Sequence, residues 1–298
     1  MKRLLSETNY ILSTIYGKVL AFFILRTTIQ TPIQTAEIIL KERKSLVRYG
    51  DGELEWMDEN HVANFQKGSK YLALELKKTL QRDDNGLLVG LPNAILSQGK
   101  LTKHEKKWWR KWLARNILHF NKFIYKKSFA STFFSRPYIM YQNSDTAEKV
   151  FKLMKQIFNQ RNIVIIEGGV TRFGVGNDLL DNAKSVRRII GPSTNAFDKK
   201  ACIEEYIEDN ILSADDVLLL VALGPAATII AADLFDSGFQ AIDIGHADLA
   251  YEWYLNKAYD KIDLPFKGVN EVSGGYNVEK LPEVLEQKYT SEVIEVIN

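Results

Sequence analysis

The feature that most restricts this chain is a pattern repeated through its second half: a short apolar run, closed by glycine, followed by a stretch with helical spacing. Residues 163–166 end in Glu167-Gly168-Gly169, residues 185–190 in Gly191-Pro192, residues 217–223 in Gly224-Pro225, and residues 241–244 in Gly245-His246. Residues 145–158, 196–209 and 226–235 read as the helices between them. Apolar runs of this kind are buried on two sides, and strands separated by helices pair in parallel. The fold class is therefore α/β, a mainly parallel sheet with helices on both faces. In such sheets ligands bind beyond the carboxyl ends of the strands, where these glycines lie.

The same grammar appears once in the first half, with chemistry attached. Ser45-Leu46-Val47-Arg48-Tyr49 is a short strand running into Gly50-Asp51-Gly52-Glu53. Glycine accepts a sharp turn and lets a ligand approach the main chain. Asp51 and Glu53 in an Asp-x-Glu spacing suit a hard divalent cation that already carries phosphates. The same residues also suit a plain Asp-Gly turn. Residues 35–44 read as the helix before this loop and residues 55–81 as helical in two pieces around Gly68. The turn Asp83-Asp84-Asn85-Gly86 precedes a buried strand at 87–92.

Residues 100–127 change character, with ten Lys or Arg against the single acid Glu105. Trp109, Leu113, Ile117, Phe120 and Ile124 recur at spacings of three and four, which gives one apolar helical face. That face either packs on the core or, with its basic back, rests on an anionic membrane or a phosphate-rich partner. Over the whole chain 39 basic and 37 acidic side chains nearly balance at +2, so nucleic acid is not expected as a partner. The single cysteine, Cys202, excludes a disulfide framework, fits a reducing compartment and reads as a small buried hydrophobe. The apolar patch at 11–25 is interrupted by Ser13, Thr14, Tyr16, Gly17 and Lys18 and has no signal-peptidase pattern after it. It reads as an amphipathic arm that packs on the domain, on a second copy, or at a membrane surface. The expected organisation is an N-terminal helical arm over 1–44 and one domain over 45–298, with the basic Trp-rich segment 100–128 as an insertion. Residues 281–297 read as a terminal helix.

Two further loops carry candidate ligands. Gly174-Val175-Gly176-Asn177-Asp178 is expected to open a helix and to offer N–H groups to a phosphate, with Thr171 and Arg172 beside it. A dinucleotide fingerprint is excluded because the third glycine is missing and no strand directly precedes it. His246 sits among Asp243 and Asp248 at a strand end, the setting for an acid/base residue, a metal ligand, or a histidine that holds its loop by hydrogen bonds. His61, His104 and His119 lie in polar or basic stretches without such company. The chain has neither a phosphate-loop lysine motif nor a serine elbow.

Five blocks, in order, resemble one family: Arg48 to Glu53; Thr171 to Leu179; Arg188 to Phe197, which includes Asn195; Leu223 to Thr228, which includes Gly224 and Pro225; and Gln240 to Trp253. The chain resembles the GT-D fold glycosyltransferases, formerly domain of unknown function 1792, over roughly residues 45–258. The resemblance implies a Rossmann-like domain, a nucleotide-activated sugar donor such as UDP-glucose, and a divalent metal (Mn or Mg) held by Asp51 and Glu53. It further implies that Arg48, Gly50, Gly52, Arg172, Gly174, Gly176, Asn177, Asp178, Asn195, Gly224 and Pro225 surround the donor, and that Asp243, His246 and Asp248 hold the base or further metal contacts. The family pattern favours Phe at Tyr49 and Cys at Gly191. Members act in bacterial pathways that extend glycans on surface adhesins or build polysaccharide. The expected partners are thus a glycan acceptor on protein or lipid carrier, and the expected location is the cytoplasm or the inner membrane face. A different class, a non-catalytic scaffold binding nucleotide or anionic polymer at a membrane, would use the same basic segment without sugar turnover.

Overall fold

A computed structural model describes residues 26–298 except 64, 126, 142–143, 213, 270, 273–274 and 276–277. The interrupted apolar patch at 11–25 lies outside the described residues. In chain order the elements are β1 (Thr28–Ile29), α1 (Pro32–Glu42), β2 (Ser45–Arg48), α2 (Asp51–Glu55), β3 (Val62–Ala63), β4 (Gln66–Lys67), α3 (Lys70–Leu80), β5 (Leu87–Leu91), α4 (Lys103–Ile124) and β6 (Ser128–Ser131). There follow α5 (Asp145–Phe158), β7 (Asn162–Gly168), β8 (Ser185–Gly191), α6 (Lys200–Asn210), β9 (Val217–Ala222), α7 (Pro225–Asp236), β10 (Ala241–Asp243), α8 (Ala247–Leu255), α9 (Glu283–Glu292) and β11 (Val293–Val296).

Nine strands form one sheet in the order β1-β6-β5-β2-β10-β9-β7-β8-β11, and every neighbouring pair is parallel. Alternate residues of a strand point to opposite faces, and both faces are dry. Val47, Val164, Ile166, Leu219 and Val221 meet α3, α4, α6 and α7 on one side. Leu46, Ile163, Ile165, Leu218 and Leu220 meet α1, α5 and α8 on the other. Each such side chain contributes roughly 1.5–3 kcal/mol by leaving water, so the central strands anchor the loops at their carboxyl ends.

Several expectations are corrected here. The sheet starts before residue 45: β1 pairs with β6, and α1 buries Ala36 and Ile39 in the core. That helix begins earlier than expected because Thr31 and Gln34 form a capping box around Pro32, and it ends where Arg43 turns left-handed. Residues 100–128 are no insertion, since α4 is the crossover that links the parallel neighbours β5 and β6. Its stripe of Trp109, Leu113, Ile117, Phe120 and Ile124 faces the core. Between α2 and α3 the chain is a hairpin, β3 against β4, rather than helix. Gly68 closes it so tightly that a Cβ there would sit 2.3 Å from the His61 carbonyl oxygen. The final segment leaves helix at Glu292, and the β-branched run from Val293 pairs with β8 as an edge strand. Cys202 is exposed on α6 rather than buried. No helix among the described residues is long and apolar enough to cross a membrane.

Candidate active site

A cleft of about 570 Å³ runs along the carboxyl edge of the sheet. Strand β2 feeds its centre. Tyr49 is fully buried, its hydroxyl donates to the Leu76 carbonyl at 2.7 Å, and its own carbonyl accepts from Thr132 Oγ1 at 2.8 Å. The chain then turns directly into α2, so Asp51 and Glu53 stand in the first turn of a short helix rather than in a loop. Glu53 folds back to accept from the Gly50 N–H at 2.7 Å. A side chain at Gly52 would collide with the ring of Trp56.

The two carboxylates have different neighbours. Burial pushes Glu53 up to about 7, with Asp243 reinforcing the shift and Arg48 opposing it. Burial also raises Asp51, against the pull of Arg136. Asp51 has no ion pair within salt-bridge distance among the described residues, although it lines the cleft. Carboxylates are the hard-oxygen donors that Mg or Mn take, one or two from the protein with water and phosphate completing the shell, and Asp51 and Glu53 both line the cleft. No group of three or more His, Cys, Asp or Glu side chains placed to hold a metal gathers among the described residues.

Arg48 and Asp243 form a buried pair beneath this helix. Arg48 Nη2 lies 2.9 Å from Asp243 Oδ1, and Arg48 Nε donates to the Asp243 carbonyl at 2.8 Å. Thr228 Oγ1 approaches both the Arg48 carbonyl, at 2.9 Å, and Asp243 Oδ2, at 3.1 Å. Asp243 is thus engaged in holding β2, β10 and α7 together, although it borders the cleft.

His246, at the head of α8, borders the cleft and places Nδ1 2.9 Å from Glu271 Oε1. Glu271 also pairs with Arg136 and, at 2.6 Å, with Lys261. Burial alone would raise Glu271, but Arg136, His246 and Lys261 together hold it far below the usual carboxylate range. Asp248 also lines the cleft, but its carboxylate is engaged: it is buried, 2.6 Å from Lys267 Nζ, and accepts from Asn177 at 2.7 Å.

The 172–178 turn does not serve the cleft as expected. Gly174 and Gly176 have φ of +73° and +81°, so no helix starts there. Arg172 spends its guanidinium on the carbonyls of Phe266 and Glu279, at 2.9 and 3.0 Å. Asn177 ties the turn to α8, and Asp178 pairs with Lys155 and accepts from Tyr251. Thr171, by contrast, lines the cleft beside Gly168 and Ser193. Asn195 is left-handed and accepts from Lys67 N at 2.9 Å, pinning the hairpin across the end of β8. Gly224 borders the cleft, with Phe65 of the hairpin turn against it, whereas Pro225 starts α7.

Sequence spacing missed the opposite wall. His104, Glu105 and Trp108 from α4, Arg136, Lys261 and Glu271 all line the cleft, as does His61. Only the basic, tryptophan-rich composition of α4 marked that helix as unusual, and nothing local ties Arg136 to Glu271.

A parallel sheet covered on both faces, with its cleft at the carboxyl edge, defines a Rossmann-like α/β protein. The chain belongs to the GT-D fold glycosyltransferases, because the family's sequence pattern, described as glycosyltransferase GT-D fold, matches residues 46–272. It is 30% identical over 262 residues to the probable glycosyl transferase Gly of Streptococcus gordonii, a match covering 88% of this chain and 37% of that protein. It is 31% identical over 262 residues to glycosyltransferase GlyD of Streptococcus pneumoniae serotype 4, covering 88% of this chain and 31% of that one. The chain therefore spans about a third of the length of these curated relatives. A solved structure of domain of unknown function 1792, described as having a distinct glycosyltransferase fold, superposes with a TM-score of 0.84 at 32% identity, covering 97% of this chain and 100% of that one. A glycosyltransferase of the same domain type from Streptococcus sanguinis gives a TM-score of 0.83 at 30% identity, covering 91% and 100%.

Proposed function

We propose that this chain transfers a sugar, glucose or another hexose, from a nucleotide-linked donor, UDP-linked by preference, to a glycan acceptor on protein or lipid, in bacterial surface glycoprotein or polysaccharide synthesis. The observation that carries the proposal is the pair Asp51 and Glu53 in the first turn of α2, both lining the cleft at the carboxyl edge of the sheet. These two residues would hold Mn or Mg. A bound divalent ion there supplies charge neutralisation for the departing diphosphate.

The remaining roles fall to the chain's own groups. Gly168, Thr171, Ser193 and Gly224, at the ends of β7, β8 and β9, give the donor close backbone approach and hydroxyl donors. The Arg48–Asp243 pair fixes the base of α2, and so the aim of Asp51 and Glu53. His246 is the candidate base for the acceptor hydroxyl. A neutral ring that donates from Nδ1 to Glu271 presents Nε2 as the proton acceptor.

The test is a screen of nucleotide sugars for hydrolysis or transfer with and without Mn or Mg. Asp51→Asn and Glu53→Gln are expected to cut turnover by about two orders of magnitude or more, with unchanged circular dichroism. Near wild-type turnover of both variants at limiting metal would overturn the metal assignment, and no turnover of any nucleotide sugar would overturn the activity.

A further inference from the structure

The cleft has two flanks of different chemistry, divided by α2. Gly168, Ser193 and Gly224 border one flank at the ends of β7, β8 and β9. The other is bordered by the N-terminal half of α4, whose crossover starts from β5. In the sheet order β5 and β7 are separated by β2, β10 and β9. The two flanks are thus built on different strands of the sheet, one for a donor and one for an acceptor.

Trp108 dominates the α4 flank. Its neighbours Trp109 and Trp112 are buried, but Trp108 keeps 37% of its surface accessible while lining the cleft. The ring is braced, stacked on Trp112 at 6.3 Å and edge-on to Trp109 at 5.0 Å. Trp112 is fixed in turn, its indole N–H donating to Glu55 Oε1 at 2.7 Å, so α4 is locked to the helix that carries Asp51 and Glu53. Around this rigid ring stand Glu55, the largely buried Glu105 and His104, and the cations Arg136 and Lys261 of the same wall act on Glu105. Carboxylates accept from hydroxyls, the neighbouring cations donate to them, the mixed charges leave no strong preference for an ion, and an exposed indole offers a flat apolar face. A ligand that satisfies both has many hydroxyls, an apolar face and no charge.

We infer that the Trp108 flank is the subsite for a neutral pyranoside, the acceptor sugar, seated on the indole with hydroxyls directed to Glu55 and Glu105. This rests on the proposed transferase function for the word acceptor, but the saccharide site itself is read independently of it. The experiment is ligand-observed NMR with a panel of methyl pyranosides (gluco, galacto, manno and N-acetylglucosamino) and their β-linked disaccharides, without nucleotide, on wild type, Trp108→Ala and Trp108→Phe. In parallel, UDP binding with Mn is measured by calorimetry. At least one sugar is expected to bind wild type, to weaken about tenfold in Trp108→Ala and to recover partly in Trp108→Phe, with UDP affinity within about twofold throughout. Sugar binding equal in wild type and Trp108→Ala, or no sugar binding up to about 10 mM, overturns the subsite. A loss of UDP affinity in Trp108→Ala with sugar binding unchanged also overturns it and assigns the ring to the nucleobase. Failure of UDP to bind at all counts against the proposed donor and leaves the sugar arm to be read on its own. Trp108→Phe keeps an aromatic ring in place should Trp108→Ala fold poorly.

Discussion

Gly245→Ala isolates the device that aims the carboxylate helix. Gly245 has φ of +48°, and a Cβ added there would lie 1.8 Å from Arg48 Nη2 and 2.5 Å from its Cζ. A flexible arginine could usually swing away at little cost. Here the guanidinium is pinned on a buried carboxylate, with Arg48 Nη2 bonded to Asp243 Oδ1 at 2.9 Å and only 11% and 2% of the two side chains exposed. Alanine at this φ costs about 1–2 kcal/mol in backbone strain. Losing one charge-assisted buried hydrogen bond adds roughly 1.5–3 kcal/mol, for a total of about 2.5–5 kcal/mol. Urea denaturation should show this as a lower midpoint. In an Arg48→Ala background the collision is gone, and the same substitution should cost only the strain, about 1–2 kcal/mol. Equal costs in the two backgrounds would falsify the steric coupling between Gly245 and Arg48.

Other outcomes follow from the same structure. Glu271→Gln leaves Arg136, His246 and Lys261 around a neutral amide, so trypsin should cut after Lys261 faster than in wild type; an unchanged cleavage rate would show that Glu271 does not hold Lys261 in place. Arg188→Met strands the fully buried Glu167, normally 2.6 Å from Arg188 Nη1, and should destabilise by about 3–5 kcal/mol. Arg188→Met with Glu167→Gln should recover much of that, and a double variant as weak as the sum of both singles would contradict the pairing. Because the apolar stripe of α4 is in the core, any attraction of α4 to anionic vesicles is electrostatic, at roughly 1 kcal/mol per Lys or Arg near the surface. The share of co-sedimentation due to α4 should therefore fall as salt is raised and weaken when Lys106, Lys107, Arg110 and Lys111 become Gln; equal low-salt binding by wild type and the Gln variant would show that α4 does not make the contact.

The sequence by itself carried the architecture, because the signals involved are local. Apolar runs such as 163–166 and 217–223, closed by glycine and separated by helical spacing, admit little besides a covered parallel sheet, and the structure has one. The same locality exposed Asp51, Glu53 and His246, which sit at strand ends where that sheet places a cleft. Local signals failed where several competed. Gly174 and Gly176 looked like the start of a phosphate-binding helix, yet their left-handed backbone makes a turn, and Arg172 is taken by two distant carbonyls. The residues 55–68 contain helix formers, but Gly68 folds that segment into a hairpin against the cleft.

Tertiary structure alone decided the company each side chain keeps. Asp248 and Asp243 looked like partners of His246 in sequence, but Lys267 and Arg48 claim them from 19 and 195 residues away. The actual partner of His246 is Glu271, and Arg136 reaches the same carboxylate across 135 residues. Periodicity placed Trp109 in the core, but that Trp108 beside it turns into the cleft depends on how α4 crosses from β5 to β6. Backbone periodicity is written every few residues, whereas ion pairs and cleft walls form between segments whose separation along the chain carries no trace of their distance in space.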